Sequence, residues 1–154
     1  MVKKLKLKNG EISLVDDDDY DFLMQWRWCL SSKGYAQRCT TDGKTFYIHR
    51  VVNKTPKGVH TDHINGERLD NRKINLRCAT TSQNAINMSK SWGSSKYKGV
   101  AWLKNSNKWC AQIQFNKKLK WLGSFHKEED AALAYNKKAI ELFGEFAYLN
   151  EVPK

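Results

Sequence analysis

The sequence predicts an α+β chain in two basic halves, from three observations. Short alternating segments broken by Asn9-Gly10 and Asp42-Gly43 fill the first third. A polar run, HTDHINGERLDNRKINLRCATTSQN, spans His60 to Asn84. Three aromatic-rich segments and one helical pattern make up the C-terminal part. With 154 residues the chain suffices for one medium domain or two small ones. SWGSS, Ser91 to Ser95, is small and polar enough for a linker, so we expect domains at 1–90 and 96–154 joined by 91–95.

The formal net charge is +11 and the pI about 9.5. Each Lys or Arg that neutralises a phosphate releases condensed counterions, so an excess of this size points to nucleic acid. From Ser91 to Lys127 there are eight lysines and no acid. No window approaches the roughly 20 apolar residues of a membrane span, and MVKKLKLKNG lacks a signal-peptide core. A soluble, intracellular protein without a membrane is expected, and no obligate protein partner is evident. Cys29, Cys39, Cys78 and Cys110 lie far apart with no CxxC pair, and read as reduced, small apolar residues.

In the first half, KLKLKNGEISLV reads as a hairpin turning at Asn9-Gly10. DDDDYDFLMQWRW follows as a short helix entered through acids; Asp16 to Asp19 lack the alternating ligand spacing of a calcium loop and read as a solvated helix start. YAQRCTTDGKTFYIHRVV reads as a second hairpin, with His49-Arg50 closing its strand. Asp62-His63 ends a strand-like segment, Asn65-Gly66 turns the chain, and LDNRKINL brings it back. ATTSQNAINM is then a helix started by a Thr/Ser cap.

In the second half, YKGVAWLKN, KWCAQIQFN and KLKWLGSFH predict a three-strand antiparallel meander. EEDAALAYNKKAIELFG has acids in its first turn, Ala132, Tyr135, Ala139 and Leu142 on one face, and Gly144 as a stop, and predicts an amphipathic helix covering one sheet face.

Strand, turn, strand, helix would bring Asp62, His63 and Asn84 to one point. Cleaving a phosphodiester needs oxygen ligands for a hard divalent cation and a neutral imidazole to take a proton from water. Asp62 offers an anionic oxygen, Asn84 a neutral one and His63 the base, leaving coordination positions for phosphate and water. Asn71 and Asn75 complete the ordered set. At these residues the chain resembles the HNH homing endonucleases, whose ββα-metal site carries DHxNGxxxDNRxxNLR followed by TxxQN. The likeness runs upstream through YIHRVV and VDDDDYDFL and covers nearly all of residues 5–90.

The resemblance implies Asp62 and Asn84 as metal ligands for one magnesium or manganese ion, His63 as general base, and Asn75 as the amide that pins the turn orienting the histidine. Many such enzymes end the set with histidine; here asparagine stands there, and Asn87, three residues on along the same helical face, is the alternative ligand. The resemblance makes His49-Arg50 a support of the site, with Arg50 able to grip phosphate. Arg68, Arg72, Lys73 and Arg77 are expected to contact the DNA backbone, while His60 and His126 are expected to be exposed and idle.

Lys96 to Asn150 resembles the APETALA/ethylene-response-factor DNA-binding domain through YKGV, KWCAQIQ, KWLGSF, EEDAALAYNKKA and LFGEFAYLN. Such a domain lays its open sheet face in the major groove of double-stranded DNA. Alternation along the middle strand puts Lys108, Cys110, Gln112 and Gln114 on one face and Trp109, Ala111, Ile113 and Phe115 on the other, so Gln112 and Gln114 project outward, where an amide can bond an adenine edge. Lys98, Lys104 and Trp121 match further contact positions of that family. Trp102 is core or contact, depending on a bulge in the first strand. This half contains no arginine, and lysine matches guanine less well than a guanidinium does, so tolerant, salt-sensitive binding is expected. The function implied is a nicking homing endonuclease of a mobile element, in a phage or the cytoplasm of a bacterial host. The alternative is a non-catalytic DNA-binding regulator that keeps the nuclease scaffold.

Overall fold

The computed structural model describes residues 1–88 and 94–153; residues 91–93 of the expected linker lie outside them. The backbone is mixed α and β, with small antiparallel sheets. Contacts divide the chain into two units, Met1–Asn84 and Ala85–Lys154, each with its own apolar core.

The first unit opens with the antiparallel hairpin β1 (Val2–Lys6) and β2 (Ile12–Asp16). Gly10 sits in its turn at φ +92°, a conformation that glycine adopts without strain. Alternation sends Leu5, Ser13 and Val15 inward. Helix α1 (Asp17–Met24) carries Asp17, Asp18 and Asp19 in its first turn, facing the positive end of the helix. These acids do more than solvate a helix start. Asp17 pairs with Lys3 at 3.2 Å, Asp19 pairs with Lys73 at 2.9 Å, and Asp16 accepts the Lys73 backbone N–H at 2.7 Å. The helix entry is thereby tied to the segment that follows Asn71.

Strands β3 (Cys29–Leu30), β4 (Ala36–Cys39) and β5 (Thr45–Tyr47) form a second antiparallel sheet with β4 in the middle. The chain then departs from the expected strand: Ile48–Val52 is a short helix, α2. β-Branched residues favour strands only weakly, whereas a helical turn aligns Ile48 with Val52 and buries both in the core with Leu23, Trp28 and Leu76. Burial of two such side chains, roughly 1.5–3 kcal/mol each, outweighs the propensity. Strand β6 (His60–His63) pairs antiparallel with β7 (Leu76–Ala79), His63 facing Leu76 and Asp62 facing Arg77. A single 3₁₀ turn, Lys73–Asn75, precedes β7. Helix α3 (Thr81–Asn87) starts on a reciprocal cap: Thr80 N–H donates to Gln83 Oε1 at 2.8 Å and Gln83 N–H to Thr80 Oγ1 at 3.2 Å.

In the second unit β8 (Val100–Leu103), β9 (Lys108–Phe115) and β10 (Lys118–Phe125) make an antiparallel meander with β9 central. Asn116 and Lys117 both have positive φ, the geometry of a tight two-residue hairpin turn. Helix α4 (Glu128–Phe143) packs Ala131, Ala132, Tyr135 and Ala139 against the sheet. Its small side chains bring the Tyr135 ring onto Gly99, where a Cβ would collide with the ring and with the Gln112 carbonyl oxygen; Gly99 also sits at φ +75°. Gly99→Ala is therefore expected to destabilise this unit by about 2–3 kcal/mol, read as the shift of its denaturant midpoint. An unchanged midpoint would mean that the helix rides higher than this packing allows.

Candidate active site and nucleic-acid interface

His63 ends β6 and is buried, 5% exposed. Its Nε2 lies 3.2 Å from Asn71 Oδ1. Burial pushes the His63 imidazole below its ordinary 6.5, against the hydrogen bond to Asn71 and the charges of Asp62 and Asp70, which raise it. The ring is therefore neutral near pH 7, as a proton acceptor must be.

Asp62, the preceding residue, is 4% exposed, and Arg77 across the strand pair holds it: Nε donates to Oδ2 at 2.8 Å and Nη2 lies 2.7 Å from the same oxygen. Arg77, expected on phosphate, is itself mostly enclosed. Asn75 accepts the Asn65 N–H on its Oδ1 at 3.0 Å and donates from Nδ2 to the Asp70 carbonyl at 2.8 Å, while its own carbonyl accepts the Ile64 N–H at 2.9 Å. The loop after His63 thus closes on one asparagine. Asn84 stands in the first turn of α3, half-buried, its N–H on the Thr80 carbonyl at 2.9 Å. Asn87, near the end of α3, is buried. Among the described residues no three His, Cys, Asp or Glu side chains gather into a metal-holding cluster. A single carboxylate with an amide oxygen is nonetheless a donor set that suits a hard, oxygen-seeking cation that keeps several waters.

His49, on α2, brings a second imidazole to the site. Its ring centroid is 5.2 Å from that of His63, edge-on, with Tyr47 stacked on it at 5.4 Å and Tyr35 at 5.0 Å. Its Nδ1 is buried and has no hydrogen-bond partner among the described residues. Burial first, then the charges of His63 and Arg50, bring His49 down to about 3. An unfolded chain binds a proton here near pH 6.5 and the folded one only near 3, so stability is lost as pH falls through that window. We expect the first unit to lose about 3 kcal/mol to His49 between pH 7 and pH 4, and His49→Phe to remove that loss in urea titrations of metal-free protein. Equal acid sensitivity of the two proteins would assign the effect to other groups.

Three further arginines of this unit are engaged within the fold. The Arg50 guanidinium, expected on phosphate, donates to the Val59 carbonyl at 2.8 Å and the Pro56 carbonyl at 3.0 Å, holding the loop before β6. Arg72 pairs with buried Asp70 through Nε at 2.7 Å and Nη2 at 2.6 Å. Arg68 donates to the Lys33 carbonyl at 2.7 Å and lies 5.2 Å over the Tyr35 ring. His60 is exposed but within 3.2 Å of Thr81 Oγ1, and His126 is exposed.

In the second unit, register puts Gln112 opposite Trp121, and Gln114 opposite Leu119, on the sheet face away from α4. Trp121 is 57% exposed and Leu119 65%. Cys110 lies on the same face but is buried between Ala101 and Ser124. Trp102 pairs with Trp109, ring centroids 5.0 Å apart, and so shares the helix side; the irregularity that could have turned it outward lies in β10, between Trp121 and Gly123. Lys104 is exposed in the β8–β9 turn. Lys98 points elsewhere: its Nζ donates to the Ile86 carbonyl and, at 2.7 Å, to the Met88 carbonyl, and burial brings it down to about 8.

Residues missed by pattern reading are Arg77 as the partner of Asp62, Tyr35 beside His49, and Ser13, whose Oγ accepts from Asn71 Nδ2 at 2.8 Å. Only Arg77 leaves a trace in sequence, since a strand-paired Arg can neutralise an inward Asp.

Residues 46–86 match the family model described as HNH endonuclease. The chain is 33% identical over 149 residues to an HNH endonuclease of Acanthamoeba polyphaga mimivirus, covering 93% of this chain and 76% of that one. It is 33% identical over 117 residues to protein 3.8 of Escherichia phage T7, covering 75% of this chain and 96% of the phage protein. An ethylene-responsive transcription factor of Arabidopsis thaliana is 46% identical over 56 residues, 35% of this chain and 30% of the plant protein. No helix among the described residues is long and apolar enough to cross a membrane. A buried Asp-His pair on a strand, the helix after it and the viral relative together assign the protein: this chain belongs to the HNH endonuclease family of nucleases.

Proposed function

We propose that the protein is a metal-dependent DNA endonuclease of a mobile element that nicks one strand of a duplex, with residues 1–90 cutting and residues 96–154 holding the DNA. The observation that carries this is the pairing of a neutral buried imidazole, His63, with a carboxylate, Asp62, that Arg77 keeps in place. β6, β7 and α3 are the ββα unit of the site. Asp62 would hold one magnesium or manganese ion with the Asn84 amide oxygen or, as the alternative, that of Asn87. Bound there, the ion would neutralise the scissile phosphate and the leaving oxygen. His63 takes the proton of the attacking water as the new P–O bond forms and the bond to the leaving strand breaks. Asn75 keeps the loop after His63 closed, so the imidazole does not swing away from the phosphate. Arg50 and Arg72 act by holding the loops beside the site in shape for the DNA backbone.

On the second unit, the outward face with Gln112, Gln114 and Trp121 meets the groove, Lys104 meets phosphate, and Lys98 holds the approach to the sheet rather than the DNA. The likeness to the plant factor over 35% of the chain and the lysine-rich, arginine-free stretch support that reading. One site cuts one strand per encounter, so the product is a nicked circle.

The test is supercoiled plasmid incubated with native protein and His63→Ala in magnesium or manganese, with and without EDTA, beside a gel shift. Nicked circles from the native protein alone, abolished by EDTA, are expected. Native protein that shifts DNA but leaves it supercoiled in both metals would overturn the enzyme reading, and linear product in a single encounter would overturn nicking.

A further inference from the structure

The imidazole of a general base works only if the right nitrogen holds the lone pair. In this protein that choice traces to a residue of the N-terminal hairpin, outside the stretch that matches the family model. Ser13, on β2, is fully buried, and its hydroxyl donates to the Leu69 carbonyl at 3.1 Å. With its one hydrogen committed, Ser13 Oγ can only accept, and it accepts Asn71 Nδ2 at 2.8 Å. That fixes which way the Asn71 amide lies. Its nitrogen faces Ser13 and its oxygen faces His63 Nε2, 3.2 Å away. An amide oxygen only accepts, so Nε2 must bring the proton, and the lone pair is left on Nδ1.

The backbone around the relay is built to the same end. Leu14 N–H donates to the Leu69 carbonyl and Asn71 N–H to the Leu14 carbonyl, each at 2.8 Å, so β2 runs as an extra parallel partner along residues 69–71. Asn71 is fully buried, which excludes water as a substitute partner for its amide.

We propose that Ser13 is a positioning residue of the nuclease: through Asn71 it locks His63 in the Nε2–H tautomer and so directs Nδ1 to the attacking water. This rests on the reading of His63 as the base. Without Ser13 the amide gains nothing from its present orientation and can turn, offering its NH₂ to Nε2 and drawing the proton to Nδ1.

The test uses the full metal-free chain labelled with ¹⁵N-histidine. The chain has four histidines, and His63 signals are assigned by their loss in His63→Ala. Native protein is expected to show the Nε2–H pattern for His63. Ser13→Ala is expected to show a mixture or the Nδ1–H pattern, with kcat for plasmid nicking about 10- to 100-fold lower and KM unchanged. Asn71→Leu, which removes the acceptor while keeping the volume, is expected to lose the pure pattern as well. An Nδ1–H pattern in native His63 overturns the proposal without any variant, as does a native-like pattern in Ser13→Ala. If the tautomer shifts as expected while His63→Ala still nicks at the native rate, the relay stands and the general-base reading fails.

Discussion

His63→Ala is expected to lower plasmid nicking by about 10²–10⁴-fold while leaving the gel shift of the same DNA unchanged. The size of the effect follows from what the ring does. Water is a weak nucleophile until a proton is taken from it, and the neighbouring acids cannot substitute: Asp62 is bound by Arg77 and Asp70 by Arg72. Nor can His49, which burial and neighbouring charge hold down to about 3, too weak a base for the task. The unchanged gel shift follows if the second unit holds the DNA, as proposed, since the outward residues Gln112, Gln114 and Trp121 belong to it. Loss of both nicking and the shift would mean that the first unit also holds the DNA and that the substitution disrupts it, so that the second unit does not bind alone.

Arg77→Met is expected to cost the first unit about 3 kcal/mol and to slow nicking with it. Methionine keeps the apolar stem but leaves the Asp62 carboxylate, 4% exposed, without the guanidinium that lies 2.7 Å from it. A buried charge stripped of its partner pays the desolvation that the pair had offset. A divalent cation on Asp62 would restore part of that balance, so magnesium is expected to raise the melting temperature of Arg77→Met more than that of the native protein. Equal magnesium shifts in the two proteins would remove Asp62 from the metal site; equal stability without metal would show that the pair does not govern the carboxylate.

Much of the fold was legible because short-range chemistry dictated it. Asn9-Gly10 and Asp42-Gly43 set tight turns, the Thr80–Gln83 cap started α3, and acids followed by spaced alanines made α4. Gln112 and Gln114 could be placed outward because a strand alternates. Where the structure adds to or departs from the sequence pattern, a nonlocal term prevailed. Ile48 and Val52 look like strand residues, yet burying both on one core made a helix. Arg50, Arg72, Lys98 and Arg77 look like free cations for phosphate, yet carbonyls and acids inside the fold engage each of them.

The sequence by itself determined the ingredients of this protein: the Asp62-His63 pair at a strand end, the asparagines at fixed spacing after it, and the basic, lysine-only sheet. The tertiary structure decided which partner each functional group has. Ser13 and Asn71 are 58 residues apart in the chain, and Asp62 and Arg77 are 15 apart. Hydrogen-bond direction and ion pairing are settled by a few tenths of an ångström between such groups, a distance that residue type and spacing do not encode until the core has closed around them.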